Sequence, residues 1–154
     1  MPRNIEYSIF YFTLSSKKND SNANLNLGYI YYSDILIKRD AKKARHFFIE
    51  SSNLNNSDAK NYLGILSKNG EGVQKNIFDA IVYFQEAINK DNDYAKYNLA
   101  RIYFFGIDIE KNIMLTIDLL EQITSQVFLR DIFLFFIYNY GGDEIKNYDK
   151  SIKY

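Results

Sequence analysis

His46 is the single histidine of a 154-residue chain that has no cysteine and no tryptophan. A zinc site draws on several nitrogen or sulfur ligands, and a nucleophilic triad needs a serine or cysteine held beside a histidine and an acid. One imidazole next to Phe47 supports neither. The acids of Asp91–Lys96 and the pair Asp108 and Glu110 do not have the spacing of a calcium loop, and read as solvated turns and helix caps. No catalytic residue, metal ligand or cofactor contact is therefore assigned, and an enzyme is not expected.

Two glycine motifs imitate active-site signatures. Gly-Gly-Asp-Glu at 141–144 matches the short signature of diguanylate cyclases, but here Ile145 replaces the usual phenylalanine and the stretch follows a helix, where a glycine pair ends the turn. Gly70-Glu71-Gly72-Val73-Gln74-Lys75-Asn76 has glycines and a lysine but lacks the Gly-Lys-Ser/Thr of a phosphate loop. Recognition chemistry is what remains. The chain carries 14 Tyr and 12 Phe, 19 basic and 19 acidic residues and zero net charge. A balanced charge argues against sequence-independent binding to nucleic acid and against a polybasic membrane-surface role.

The elements that position these side chains follow from a repeat. Ala59, Leu63, Gly70 and Lys75 recur 36 residues later as Ala95, Leu99, Gly106 and Lys111. Ala59, Leu63, Gly64 and Ala80 recur 36 residues earlier as Ala23, Leu27, Gly28 and Ala44. A fixed period of this length marks stacked supersecondary units. Within a unit, apolar residues such as Ala23, Leu27 and Ile30 lie on one face of a 3.6-residue helix, and Ala80, Tyr83, Phe84 and Ala87 on a second. Gly70 ends the first helix where a positive φ is wanted, with Asp34 in its place in the first unit; Ser57 or Asp58 caps the next helix. Gly64 gives Phe84 room to lie on the helix backbone, as Gly28 does for Phe48, and Ala100 with Leu120 is the matching pair in the third unit. The units are 23–58, 59–94 and 95–130, preceded by a half unit at 4–22 and followed by a degenerate one at 131–154, all in one domain of about eight helices.

The pattern A-x3-L-G-x5-G-x-G-V-x-K-x4-A-x3-F-x2-A at residues 59–87 resembles the Sel1-like repeat, a variant of the tetratricopeptide helix-turn-helix. The resemblance implies an all-α, right-handed α-solenoid of antiparallel helix pairs. It also implies a non-catalytic adaptor, with some bacterial members acting as effectors and some as immunity proteins that sit on a toxin. In such arrays the first helix of each pair lines the concave side. The residues facing a partner protein or peptide would be Leu25, Tyr29 and Tyr32 in the first unit, Asn61, Ile65 and Lys68 in the second, and Tyr97, Arg101 and Phe104 in the third, with Tyr94 alongside. Tyr and Arg often anchor interfaces, and Lys68 and Arg101 suit acidic groups. Composition alone also accounts for tyrosines there.

The amino terminus lacks a small-residue cleavage site, and Arg130 and Asp131 interrupt the apolar run 127–140, so neither a secretion signal nor a membrane span is expected and the cytoplasm is the expected compartment. Phe133, Phe135 and Phe136 break the polar character usual for a terminal unit. Either the last short helix covers them, or they form a surface for self-association or for assembly into a larger array.

Overall fold

The computed structural model describes residues 3–140, and among these every regular element is an α-helix. The eight are α1 (Arg3–Ser16), α2 (Ser21–Tyr32), α3 (Ala41–Asn53), α4 (Ser57–Asn69), α5 (Ile77–Ile88), α6 (Asp93–Phe105), α7 (Ile113–Glu121) and α8 (Val127–Tyr140). The chain divides into two compact units, Met1–Lys90 and Asp91–Tyr154. In the first, α2 packs on α3 and α4 on α5, while α3 meets α4 and α1 meets α2. In the second, α6 packs on α7, and α7 meets α8. The Gly-Gly-Asp-Glu stretch and the final short helix expected at 145–154 lie outside the described residues.

The helices α2 to α7 each start where a capping side chain is placed. Asp20, Asn56 and Asn92 cap α2, α4 and α6, and their side-chain oxygens accept hydrogen bonds from backbone N–H groups of the first turn. Asp40, Asn76 and Asn112 do the same for α3, α5 and α7. Asn56, not Ser57 or Asp58, is therefore the α4 cap, because the helix begins at Ser57. Before each first-helix cap one residue takes a left-handed conformation: Asn19, Asn55 and Asp91 have φ of 60°, 64° and 56°. Asn and Asp tolerate this region because their short polar side chains bond locally. The first helices begin at Ser21, Ser57 and Asp93, two residues before the Ala that opens each apolar pattern. Periodicity registers the first buried residue, and capping sets the true start.

Gly70 and Gly106 end α4 and α6 in the left-handed region, with φ of 74° and 63°. Asp34 does not substitute for them. α2 instead ends through Ser33 in extended backbone, and the Asp34 carboxylate accepts from the Arg39 N–H at 3.1 Å. A side chain that can hold the turn by its own hydrogen bond removes the need for positive φ.

The core is organised by glycine–aromatic contacts. A Cβ at Gly64 would stand 2.6 Å from Cε1 of Phe84, and one at Gly28 would collide with Phe48 in the same way. Both rings are fully buried; burying a side chain of this size is worth about 1.5–3 kcal/mol. In the third pair Ala100 and Leu120 are both fully buried as well. Around Phe48, the residues Leu25, Ala44, Ala59, Leu63 and Leu66 form a contiguous cluster that joins α2, α3 and α4.

Candidate partner-binding face

Along the first helix of each pair, residues spaced by three and four share a face. On α6 these are Tyr94, Tyr97, Arg101 and Phe104; on α4, Asn61, Ile65 and Lys68; on α2, Leu25, Tyr29 and Tyr32. Each unit of the fold treats its stripe separately.

In the first unit the tyrosines are half-buried and form a ring cluster with residues of the neighbouring helices. Tyr29 meets Tyr62 edge-on at 4.9 Å and Phe48 at 5.8 Å, and Tyr32 meets Tyr62 at 5.4 Å. Tyr62 in turn stacks on Phe48 at 4.9 Å with 20° between the planes. Such pairs add about 0.5–1.5 kcal/mol beyond their buried area. The Arg39 guanidinium lies 4.7 Å over the Tyr32 ring and forms an ion pair with Glu71, so the turn after α2 is tied to the turn after α4. Burial pushes the Tyr32 phenol above its ordinary value; the Glu71 charge pushes the same way and Arg39 partly opposes both. Ile65 and Lys68 are half-buried. Asn61 is only 4% exposed and Leu25 is also buried, so these two support the face from beneath.

In the second unit Tyr97 meets Phe133 of α8 edge-on at 5.8 Å, and Phe104 meets Phe133 at 5.1 Å and Phe136 at 6.4 Å. Arg101 is exposed and lies 5.9 Å over the Tyr97 ring. Tyr94, one turn earlier, is 49% exposed. This stripe therefore presents a flat ring, a guanidinium held over it and a second phenol to solvent. Arg in such a stack is pre-organised for a bidentate carboxylate contact.

One expectation is overturned here. Asp93 is not a solvated cap. Asp93 and Lys96 are both buried, and the ammonium bonds Asp93 Oδ1 at 2.9 Å and the carbonyl of Gln122 at 2.9 Å. Asp93 Oδ2 accepts from the backbone N–H of Ser125 at 2.6 Å, from Ser125 Oγ at 2.7 Å and from the Thr124 N–H at 3.0 Å. Burial acts to raise the Asp93 carboxyl, but the bonds from Ser125, Lys96 and Thr124 outweigh it and hold the group well below the usual carboxylate range. The pair thus pins the turn between α7 and α8 onto α6, and so fixes where Phe133 stands against Tyr97.

Sequence reasoning missed Tyr62, Phe133, Arg39 and Glu71 as the groups that hold the stripe residues. The Arg39–Glu71 pairing leaves no trace in spacing. Asp93 did leave one: the equivalent positions 36 and 72 residues earlier are Ser57 and Ser21. Among the described residues no cluster of three or more His, Cys, Asp or Glu could hold a metal ion, and no helix is long and apolar enough to cross a membrane.

The Sel1 repeat family model matches residues 1–20, 21–56, 57–92, 93–126 and 132–154. Solved structures share the fold. A Sel1 repeat protein from Oxalobacter formigenes superposes with a TM-score of 0.73 over 80% of this chain at 20% identity. A protective antigen of uropathogenic Escherichia coli strains that displays an SLR fold gives 0.67 over 77% at 21% identity. Helicobacter pylori cysteine rich protein B gives 0.53 over 56% at 28% identity. This chain spans 36%, 25% and 65% of those three proteins, respectively. No curated protein matches the chain.

Proposed function

Because the chain belongs to the Sel1 repeat family, whose members are generally protein–protein interaction modules, we propose that it binds another protein through the outward stripe of its first helices. The observation that supports this most is the arrangement on α6: exposed Arg101 stacked over Tyr97, with half-exposed Tyr94 one turn away. Tyr and Arg contribute disproportionately to interface energy because they bring large contact area and fork-shaped donors at low entropy cost. In the first unit Tyr29, Tyr32, Ile65 and Lys68 form the corresponding surface, and Arg39 and Glu71 flank Tyr32. A balanced net charge favours a protein over a nucleic-acid partner.

The narrower form, an immunity protein that masks a bacterial toxin in the cytoplasm, rests on the family resemblance and not on the geometry. Site-specific photocrosslinking tests the face itself. A crosslinker at position 94 is expected to capture the partner, whereas one at the exposed Phe78 of α5 is not. Equal capture at both positions would reject the stripe.

A second use, assembly through the terminal helices, is favoured by one observation: Phe128, Ile132 and Phe135 on α8 are all exposed.

A further inference from the structure

We propose that the turn between α2 and α3 docks on an anionic lipid surface, with Ile35 entering the interfacial layer and Lys38, Lys42 and Arg45 meeting the headgroups. This surface is separate from the stripe of first-helix residues. Between residues 34 and 46 the chain carries five cations against two acids, although the whole molecule is neutral. Zero net charge excludes a molecule coated in positive charge; it does not prevent one end of a helix pair from being basic. The acids there are engaged. Asp40 caps α3 and its Oδ2 lies 3.9 Å from the Lys43 ammonium, and the Asp34 carboxylate accepts from the Arg39 N–H. Arg39 itself pairs with Glu71. Lys38, Lys42 and Arg45 have no acidic partner among the described residues, and Lys38 and Lys42 are exposed. Beside them Ile35 is 88% exposed, the most of any large apolar side chain among the described residues, and Leu36 is 46% exposed.

Folding explains neither group. Thirty-six residues later, Ile35 and Leu36 correspond to Glu71 and Gly72, and Lys38, Lys42 and Arg45 correspond to Gln74, Phe78 and Ile81. The repeat therefore closes the same turn without apolar residues at its tip and without this charge. Cations in the first turn of a helix oppose its macrodipole. α3 has Lys42 and Lys43 there and no acid, while α4, α5 and α6 have Asp58, Asp79 and Asp93. An apolar tip beside a basic cluster suits a bilayer approached from one side: the tip leaves water, and the cations gain from the negative surface potential. Lysine serves this well, because its stem lies along apolar surface while the ammonium stays in water. A soluble polyanion would satisfy the cations but give Ile35 nothing. A nucleic acid would also need free rings for its bases, whereas Tyr31 is already engaged by Lys43 at 5.1 Å and by Phe47 stacked at 5.6 Å.

The full chain is tested by sedimentation with vesicles. Binding is expected to phosphatidylcholine vesicles holding about 30% phosphatidylserine and not to phosphatidylcholine alone, and it should fall steeply between about 50 mM and about 500 mM salt as the charges are screened. Lys38→Gln with Lys42→Gln should weaken partitioning roughly 25-fold, since each basic residue near such a surface adds on the order of fivefold. Ile35→Ser should weaken it about 10-fold. All three positions are exposed, so helical circular dichroism and the thermal melt should stay those of the natural chain. A labelled single-stranded oligonucleotide and polyglutamate serve as soluble polyanions. Tighter, salt-sensitive binding to either one that ignores Ile35→Ser overturns the lipid assignment. So does equal sedimentation with neutral and anionic vesicles, no sedimentation at low salt, or unchanged partitioning of the folded variants. None of these outcomes bears on the first-helix stripe, which the crosslinks at positions 94 and 78 test separately.

Discussion

Asp93 and Lys96 form an ion pair whose side chains are 5% and 7% exposed, one turn apart on α6. Their remaining hydrogen-bonding capacity is spent on the loop that leads into α8: Asp93 takes two backbone N–H groups and a hydroxyl, and Lys96 takes the Gln122 carbonyl. The pair acts as a polar connector between α6 and the loop before α8, beside the ring contacts that join the two helices. It also bears on the candidate stripe, since α8 supplies the Phe133 ring against which Tyr97 and Phe104 rest.

Asp93→Ala should destabilise the second unit by about 3–5 kcal/mol, because it strands a buried ammonium. Asp93→Asn combined with Lys96→Met should cost less than Asp93→Ala alone, since no unpaired charge is then buried. Urea unfolding followed by circular dichroism reads both. Equal stability of Asp93→Ala and the natural chain would show that the pair is not buried in solution.

The same carboxylate predicts an acid limb. Its folded pKa lies below the ordinary aspartate value of 3.8, so at low pH the unfolded chain binds the extra proton. The stabilisation is fully present above the unfolded value and is lost as pH falls through the folded one. Between about pH 4 and pH 2 the natural chain should lose stability more steeply than Asp93→Asn. Parallel pH profiles would contradict the assignment.

Gly64→Ala should cost about 1–3 kcal/mol despite the better helix propensity of alanine, because the new methyl meets the Phe84 ring. Adding Phe84→Leu should recover part of that loss and reproduce the Ala100 and Leu120 combination of the third pair. A double-mutant cycle measures the coupling, expected at about 0.5–3 kcal/mol. Simple additivity would mean that the glycine is not there to admit the ring.

Asn56→Ala should lower stability by about 1 kcal/mol, as expected for removal of an N-cap whose oxygen accepts from the Ala59 N–H at 3.1 Å. Asn56→Asp should be tolerated, since Asp20 holds the same place before α2. Thermal melts of the two variants check the pair.

The helix-pair architecture was legible because the 36-residue repeat writes each fold-determining contact three times. Gly28 with Phe48 and Gly64 with Phe84 could be read as partners before any coordinates, since both members recur together. Caps were less legible: Ser57 and Asp58 compete on paper with Asn56, and only backbone geometry shows which one precedes the first helical residue. The spacing placed the stripe residues together along each helix, yet their surroundings were not visible. Asn61 occupies the place of Leu25 and Tyr97, and nothing local says that it is buried. Contacts that occur once, such as Arg39 with Glu71 or Asp93 with Ser125, carry no periodic signal.

The binding claim is tested most directly by the affinity of the purified chain for the protein that copurifies with it from its native cell, compared with that of a Tyr94→Ala, Arg101→Glu double variant. Both positions are solvent-facing, so the helical content and melt of the variant should match those of the natural chain. Loss of at least about 2 kcal/mol of binding, roughly 30-fold in Kd, is the predicted result. An unchanged Kd in a folded variant would place the partner elsewhere and contradict the account.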